Sequence, residues 1–203
     1  MRLLASDRSG EHTLQVDRDG PTTRVTVNGG MPDLMGWDRA GEITVTMPPE
    51  MARRMSVTTT QDKGVLLVRA DLDSLTAHNT YGAVILSGSA RRIEVTGRDG
   101  TVFTREPISV SESFAAESVD GDVSVDFADV PPRTINASTG SGDIAIALPE
   151  PGPYLVRASG DAARVRVPET TDPARATAEV TARSEDGSVT VSPLDDDYLR
   201  HHR

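Results

Sequence analysis

The chain of 203 residues contains no cysteine. That removes disulfides, thiolate zinc sites and cysteine nucleophiles together. Aromatic residues are nearly as scarce, with one Trp, three Tyr and three Phe, or 3% of the chain. A broad globular core is usually built on more than that. The apolar volume here comes from Val, Ile, Leu and Ala, which suit a narrow interior between closely spaced strands. Lysine occurs once, at Lys63, and two of the four histidines, His201 and His202, lie at the C-terminal end. No apolar run reaches the ~20 residues of a membrane-spanning helix, and no basic-then-apolar leader opens the chain. Basic excess is absent too. The net charge of -10 argues against a nucleic-acid backbone or direct membrane insertion as the partner. Read as complete, the chain is expected in the cytoplasm; read as a trimmed piece, it is expected outside the membrane.

What the chain does have is a repeat. Gly121-Asp122-Val123-Ser124-Val125 returns as Gly142-Asp143-Ile144-Ala145-Ile146. Glycines that open a short alternating strand fall at 64, 82, 100, 121, 142, 160 and 187. Between them lie second strands such as Arg92–Val95, Thr134–Ala137, Leu155–Ala158 and Ala178–Ala182. A glycine turn feeding an alternating strand at near-constant spacing marks a chain wound into stacked coils. Alternation puts valines on one side and polar residues on the other, so stacking sets like above like at the ~4.8 Å strand spacing. The expectation is an all-β, right-handed β-solenoid of about seven coils of 18–21 residues. Residues 61–193 form its repeat region, and 194–203 form a tail.

Residues 1–60 read differently. His12–Val16 and Arg24–Val27 flank the turn residues Asp17–Pro21, which predicts a hairpin or first coil. Five of the six methionines follow within residues 31–55, with the only tryptophan, Trp37. One reading is a cap over the open end of the stack. The other is a pliable contact surface for a partner, made of Met31, Met35, Trp37, Met51 and Met55. Pro49–Arg54 is expected to form a helical turn. Pro168 and Pro173 predict a loop protruding from one coil.

DGDVSVDFADV, ASTGSGDIAIALP and SEDGSVTVSP resemble a bacterial β-strand-repeat family of adhesin-like proteins without assigned function, whose hallmark is serial SG-D-[VI]-x-[VI] coils. The resemblance covers about residues 41–192. Residue usage rich in Ala, Arg, Asp, Val and Gly suits an actinobacterial source. The resemblance implies a β-solenoid without known enzyme activity, and it supplies no functional residues.

No catalytic, cofactor-binding or metal site is assigned from the sequence. Asp71/Asp73, Asp120/Asp122 and Asp195–Asp197 pair carboxylates in a way that Ca²⁺ could use, but turn aspartates usually bond their own backbone. His78-Asn79-Thr80-Tyr81 is the densest polar patch inside the repeats, at a coil corner before Gly82; its plain reading is a turn with hydrogen-bonding side chains. Ser138–Gly142 is rich in glycine, but a strand and not a helix follows it, so it offers no phosphate cradle. The expected function is a non-catalytic scaffold or adhesin-like binding protein, meeting a protein or glycan partner or a further copy through the coil ends. The alternatives are a polysaccharide-active enzyme on the same fold, and a cytoplasmic regulatory partner of a membrane stress-response system.

Overall fold

The computed structural model describes residues 2–6, 13–28, 42–128 and 130–194. The chain divides into two compact units, Met1–Pro48 and Pro49–Arg203. The first unit holds β1 (Arg2–Ser6), β2 (Thr13–Asp19), β3 (Thr22–Asn28) and β4 (Glu42–Thr46). β2 and β3 form the expected antiparallel hairpin around Gly20-Pro21, where Gly20 has φ 55°. β4, which ends just before Pro48-Pro49, runs antiparallel to β1.

The second unit opens with the short helix α1 (Pro49–Ala52), then β5 (Ser56–Thr104), β6 (Ser109–Asp120) and β7 (Val123–Asp126). It continues with β8 (Thr134–Ser141), β9 (Ile144–Leu148), β10 (Tyr154–Ser159), β11 (Ala162–Val165), β12 (Ala178–Asp186) and β13 (Ser188–Pro193). These make a mostly β, parallel β-solenoid of about four turns with coils of about 24 residues. Registers define the coils. Arg92, Ser113 and Thr134 align, and Glu179 joins Thr134 to Leu155. On the other side Val102, Val123, Ile144 and Val189 align.

The core follows from that register. Ile93, Phe114, Ile135 and Val180 stack in one inward column, and Val123, Ile144 and Val189 in another. All seven side chains are at most 6% exposed. Phe114 and Phe127 meet edge-to-face across the interior, with centroids 5.3 Å apart. Few aromatics suffice because the space between the two sheets is narrow.

The corners explain the glycines. A Cβ on Gly82 would lie 2.0 Å from the Gly64 carbonyl oxygen, one on Gly100 2.1 Å from that of Gly82, and one on Gly121 2.1 Å from that of Gly100. The series continues through Gly142 and Gly187, and Gly160 would meet the Gly187 oxygen. All seven glycines picked from the sequence therefore stand in one column, where backbone packs directly on backbone.

The column also shows that stacking order is not chain order. The strands run β10-β12-β8-β6-β5-β7-β9-β13-β11 across the sheet. The last coil, β12–β13, sits between the β8–β9 coil and the β10–β11 coil. The chain passes outward to the end of the stack and then returns to fill the layer beneath. The segment after β11 does not simply protrude, as the two prolines predicted. Val167 is buried, the Tyr154 amide donates to the Pro168 carbonyl, and the Thr170 amide donates to the Tyr154 carbonyl. Residues 168–170 thus cover the first part of the outermost strand.

Candidate functional site

The solenoid corner repeats one arrangement. Three residues before a corner glycine, Ser118, Thr139 and Ser184 point inward, each under 10% exposed. Their hydroxyls donate to the glycine carbonyl of the neighbouring coil: Ser118 to Gly100 at 3.3 Å, Thr139 to Gly121 at 2.9 Å, Ser184 to Gly142 at 2.8 Å. This buried column was overlooked at the sequence level. Its signal was present as a hydroxyl three places before Gly121, Gly142 and Gly187.

Asn79 holds the same place before Gly82. It is 6% exposed, and its Oδ1 has no hydrogen-bond partner. Strand alternation turns the neighbouring His78 outward, so His78 and Asn79 face opposite sides of the sheet. Tyr81 is exposed, with the Lys63 ammonium 5.7 Å from its ring centroid, a cation–π distance. The three candidate polar residues therefore do not converge on one point.

Of the methionine-rich segment, Met31, Met35 and Trp37 lie outside the described residues. Met51 is exposed on α1, while Ala52 beside it is buried. Met55 is half-buried, and its carbonyl accepts the amides of Asp73 and Ser74. That ties the segment after α1 to β5.

The aspartates of the acidic turns bond across coils. The Asp122 carboxylate accepts the Asp143 amide at 2.8 Å, and the Asp143 carboxylate accepts both the amide and the hydroxyl of Ser188 at 2.8 Å. These two bonds hold the Asp143 carboxyl below its usual range. Asp122 and Asp143, each after a corner glycine, thus fasten the next layer, which also separates like charges by a polar contact.

Charge is densest at the other corner. The Arg91 guanidinium grips Asp73 through Nε and Nη2 at 2.9 and 3.0 Å, and Glu112 through Nη1 at 3.0 Å. Arg92 Nε donates to Glu112 at 2.7 Å. Hydrogen bonds from Arg91 push the Asp73 carboxyl below its ordinary value, and those from Arg91 and then Arg92 do the same for Glu112. Asp71 accepts the Ser89 hydroxyl at 2.7 Å and lies 3.7 Å from Arg53. Acid, base and acid alternate along the stack, so the carboxylates are neutralised by arginine. Among the described residues, no three His, Asp or Glu side chains are placed to hold a metal ion together.

The described surface has shallow depressions, two of which lie by the strands named above. One is a tiny apolar cavity of about 10 Å³ bounded by Leu75, Leu86, Ile93 and Ile108. The other is an open groove of about 540 Å³ along β10, bounded by Leu155, Arg157, Glu169 and Thr171. The outward residues of neighbouring layers stand in register, Ala115–Asn136–Thr181 on one side and Ser124–Ala145–Thr190 on the other. No described helix is long and apolar enough to cross a membrane. Comparison with protein-family models, with curated proteins and with solved structures found no match.

Proposed function

We propose that the chain is a non-catalytic scaffold or binding module that presents its flat solenoid faces to a protein or glycan. The observation carrying this reading is the use made of the polar side chains. The hydroxyls of Ser118, Thr139 and Ser184 bond corner carbonyls, the Asp122 and Asp143 carboxylates bond the next layer, and Asp73, Arg91 and Glu112 bond one another. Groups that a catalyst would need free are consumed in joining coils. The outward Asn136 and Thr181 make no such side-chain bond and stand in register on a flat face. Extended flat surfaces suit recognition of a long partner. The adhesin-like character rests on the SG-D-[VI]-x-[VI] phrases, and the finer architecture on the glycine series: seven coils, wound right-handed as parallel crossovers are.

The test is a glycan array probed with the whole chain, run beside affinity capture from the source cell. Binding should be lost when Asn136→Arg and Thr181→Arg are combined. A ligand held equally by that variant refutes the face as the contact, and new reducing ends released from a polysaccharide refute the non-catalytic reading. Trp37→Ala reports separately on the methionine-rich segment.

A further inference from the structure

The chain reaches the far end of the stack before the last coil goes in. β9 belongs to one layer, and β10, which follows after Pro149–Pro153, belongs to a layer two further on. The layer between is filled by β12–β13, which follows residues 166–177 in the chain. With that layer out, β8 and β9 would present unpaired edges on one side of the slot, and β10 and β11 on the other. Four open strand edges that face a gap of one strand width form a strong template for a further strand pair.

The slot is also selective, and corner length makes it so. From the rung Ser138–Arg183–Ser159 to the rung Ile144–Val189–Ala163, the β8–β9 coil takes six residues (138 to 144) and the β12–β13 coil six (183 to 189). The β10–β11 coil takes only four (159 to 163). The β6–β7 coil also takes six (117 to 123). Corners of equal length stack with glycine on glycine and a hydroxyl three places earlier; the shorter corner keeps Gly160 against Gly187 but has Arg157 three places before it, so the β10–β11 coil has no hydroxyl to offer the Gly142 carbonyl. It fits the last described layer, where residues 168–170 cover the start of β10 and no described coil stacks on its corner. What fits the slot is a coil of the form Ser-x-x-Gly-x-Val, with Ser184, Gly187 and Val189 in those places.

We propose that this slot accepts the β12–β13 segment of a second copy of the chain as readily as its own, so that two copies form a dimer by reciprocal exchange of residues 178–193. On its N-terminal side the segment joins β11 through residues 166–177, where Thr171 to Arg175 are exposed. Every contact that seats it, including Asp143 to Ser188 and Ser184 to Gly142, is identical whether made within one chain or between two. The exchange therefore sacrifices no bond in the slot. It requires only that the segment of a second chain arrive before the chain's own, which high concentration during folding favours.

The chain has no cysteine, so engineered pairs report cleanly. Asn136 and Thr181 are register partners on the outer face, and adjacent-strand spacing lies within the reach of a disulfide. Two full-length chains, one with Asn136→Cys and one with Thr181→Cys, are unfolded in urea, mixed, refolded at high concentration and oxidised with glutathione disulfide. The expected product is a disulfide-linked pair of twice the chain mass containing one of each variant, while the same two proteins folded before mixing give none. The two single variants co-expressed in one cell give the same readout without refolding. A further variant lacking residues 171–174 should raise the dimer fraction several-fold, because a shorter connection disfavours return to the chain's own slot. The control with both cysteines in one chain should cross-link internally. Monomers alone after refolding and after co-expression, with that control oxidised, overturn the proposal. So does an internal disulfide in Asn136→Cys/Arg157→Cys, which would mean that β10 stacks directly on β8 and no slot exists.

Discussion

Replacement of Gly121 by alanine tests the glycine column at its centre. Gly121 has φ 145°, and an added Cβ would stand 2.1 Å from the Gly100 carbonyl oxygen. The backbone conformation alone costs a side chain about 1–3 kcal/mol. The contact is worse, because a Cβ needs roughly 3.3 Å from a backbone oxygen, so the layers must part by about 1 Å at this corner. Two bonds cross between the parted layers at this corner: the Val102 amide to the Asp122 carbonyl at 2.9 Å and the Ser118 hydroxyl to the Gly100 carbonyl at 3.3 Å. If both weaken beyond use, at about 1 kcal/mol each, the total cost reaches roughly 3–5 kcal/mol. That is a large share of the roughly 5–15 kcal/mol that holds a domain folded.

Gly97→Ala is the control within the same unit. Its backbone is not left-handed, and its added Cβ would meet the Ser118 Oγ at 3.5 Å, an ordinary contact. The loss of chain entropy in the unfolded state should then stabilise it by about 0.5 kcal/mol. Urea unfolding followed by circular dichroism separates the two, with slopes of about 2 kcal/mol/M. Gly121→Ala should lower the midpoint by roughly 1.5–2.5 M, while Gly97→Ala leaves it unchanged or slightly raised. A Gly121→Ala midpoint within about 0.3 M of the parent, or equal losses in both variants, would refute the account of why these corners are glycine.

Other expected outcomes follow from single contacts. Thr139→Val removes the hydroxyl from the Gly121 carbonyl and should cost about 1–2 kcal/mol in the same assay, whereas Asn79→Ser removes the unpartnered Oδ1 and should gain about 1 kcal/mol. Phe114→Ala, opposite Phe127, should cost about 3–5 kcal/mol by leaving a cavity between the sheets. The Asp73 and Glu112 carboxyls have lowered folded values, so the stability that Arg91 confers is present above their unfolded values near pH 4 and is lost as pH falls through the folded ones. The gap in urea midpoint between the parent and Arg91→Gln should therefore be open at pH 7 and closed at about pH 2. Asp126 runs the other way. Burial raises its folded value, so its ionisation weakens the fold as pH rises through that value, and Asp126→Asn should exceed the parent at pH 7 and match it at about pH 3.

The repeat was legible because its cause is steric and local. A corner where backbone meets backbone excludes a Cβ, and that leaves glycine as a mark in the sequence. The second strands were legible from alternation, as with Thr134–Ala137 within β8 and Ala178–Ala182 within β12. The order of the coils was not, although the spacing carried a trace of it. The steps after Gly142 are irregular, 18 to Gly160 and then 27 to Gly187. The observed contact from Asp143 to Ser188 spans 45 residues, so the two irregular steps act as one. Strand alternation and the corner glycine do not distinguish a coil that stacks on its predecessor from one that overshoots it. The polar clusters were hidden for the same reason. Asp73, Arg91 and Glu112 meet only because their layers adjoin, and the sequence alone does not give that register. Of the polar corner, His78 and Asn79 are adjacent in the chain but divided by the pleat, a case where proximity in sequence misleads.

The layer-by-layer requirements also indicate where this chain is free to carry a function. Inward positions are mostly apolar, corner positions must lack a side chain, and before Gly121, Gly142 and Gly187 the place three residues earlier holds a hydroxyl that bonds the neighbouring corner. Charged residues near the ends of strands are engaged across layers. These demands fix a residue type at nearly every inward and corner site, whatever the protein does. Outward positions such as Ser124, Asn136, Ala145 and Thr181 carry no such demand. Substitution there should change recognition while leaving the urea midpoint in place, and a change at Gly121 or Thr139 should do the reverse. A ligand contact that maps to the corner column rather than to the faces would mean that the solenoid's structural and recognition residues are the same, contrary to the separation that its geometry imposes.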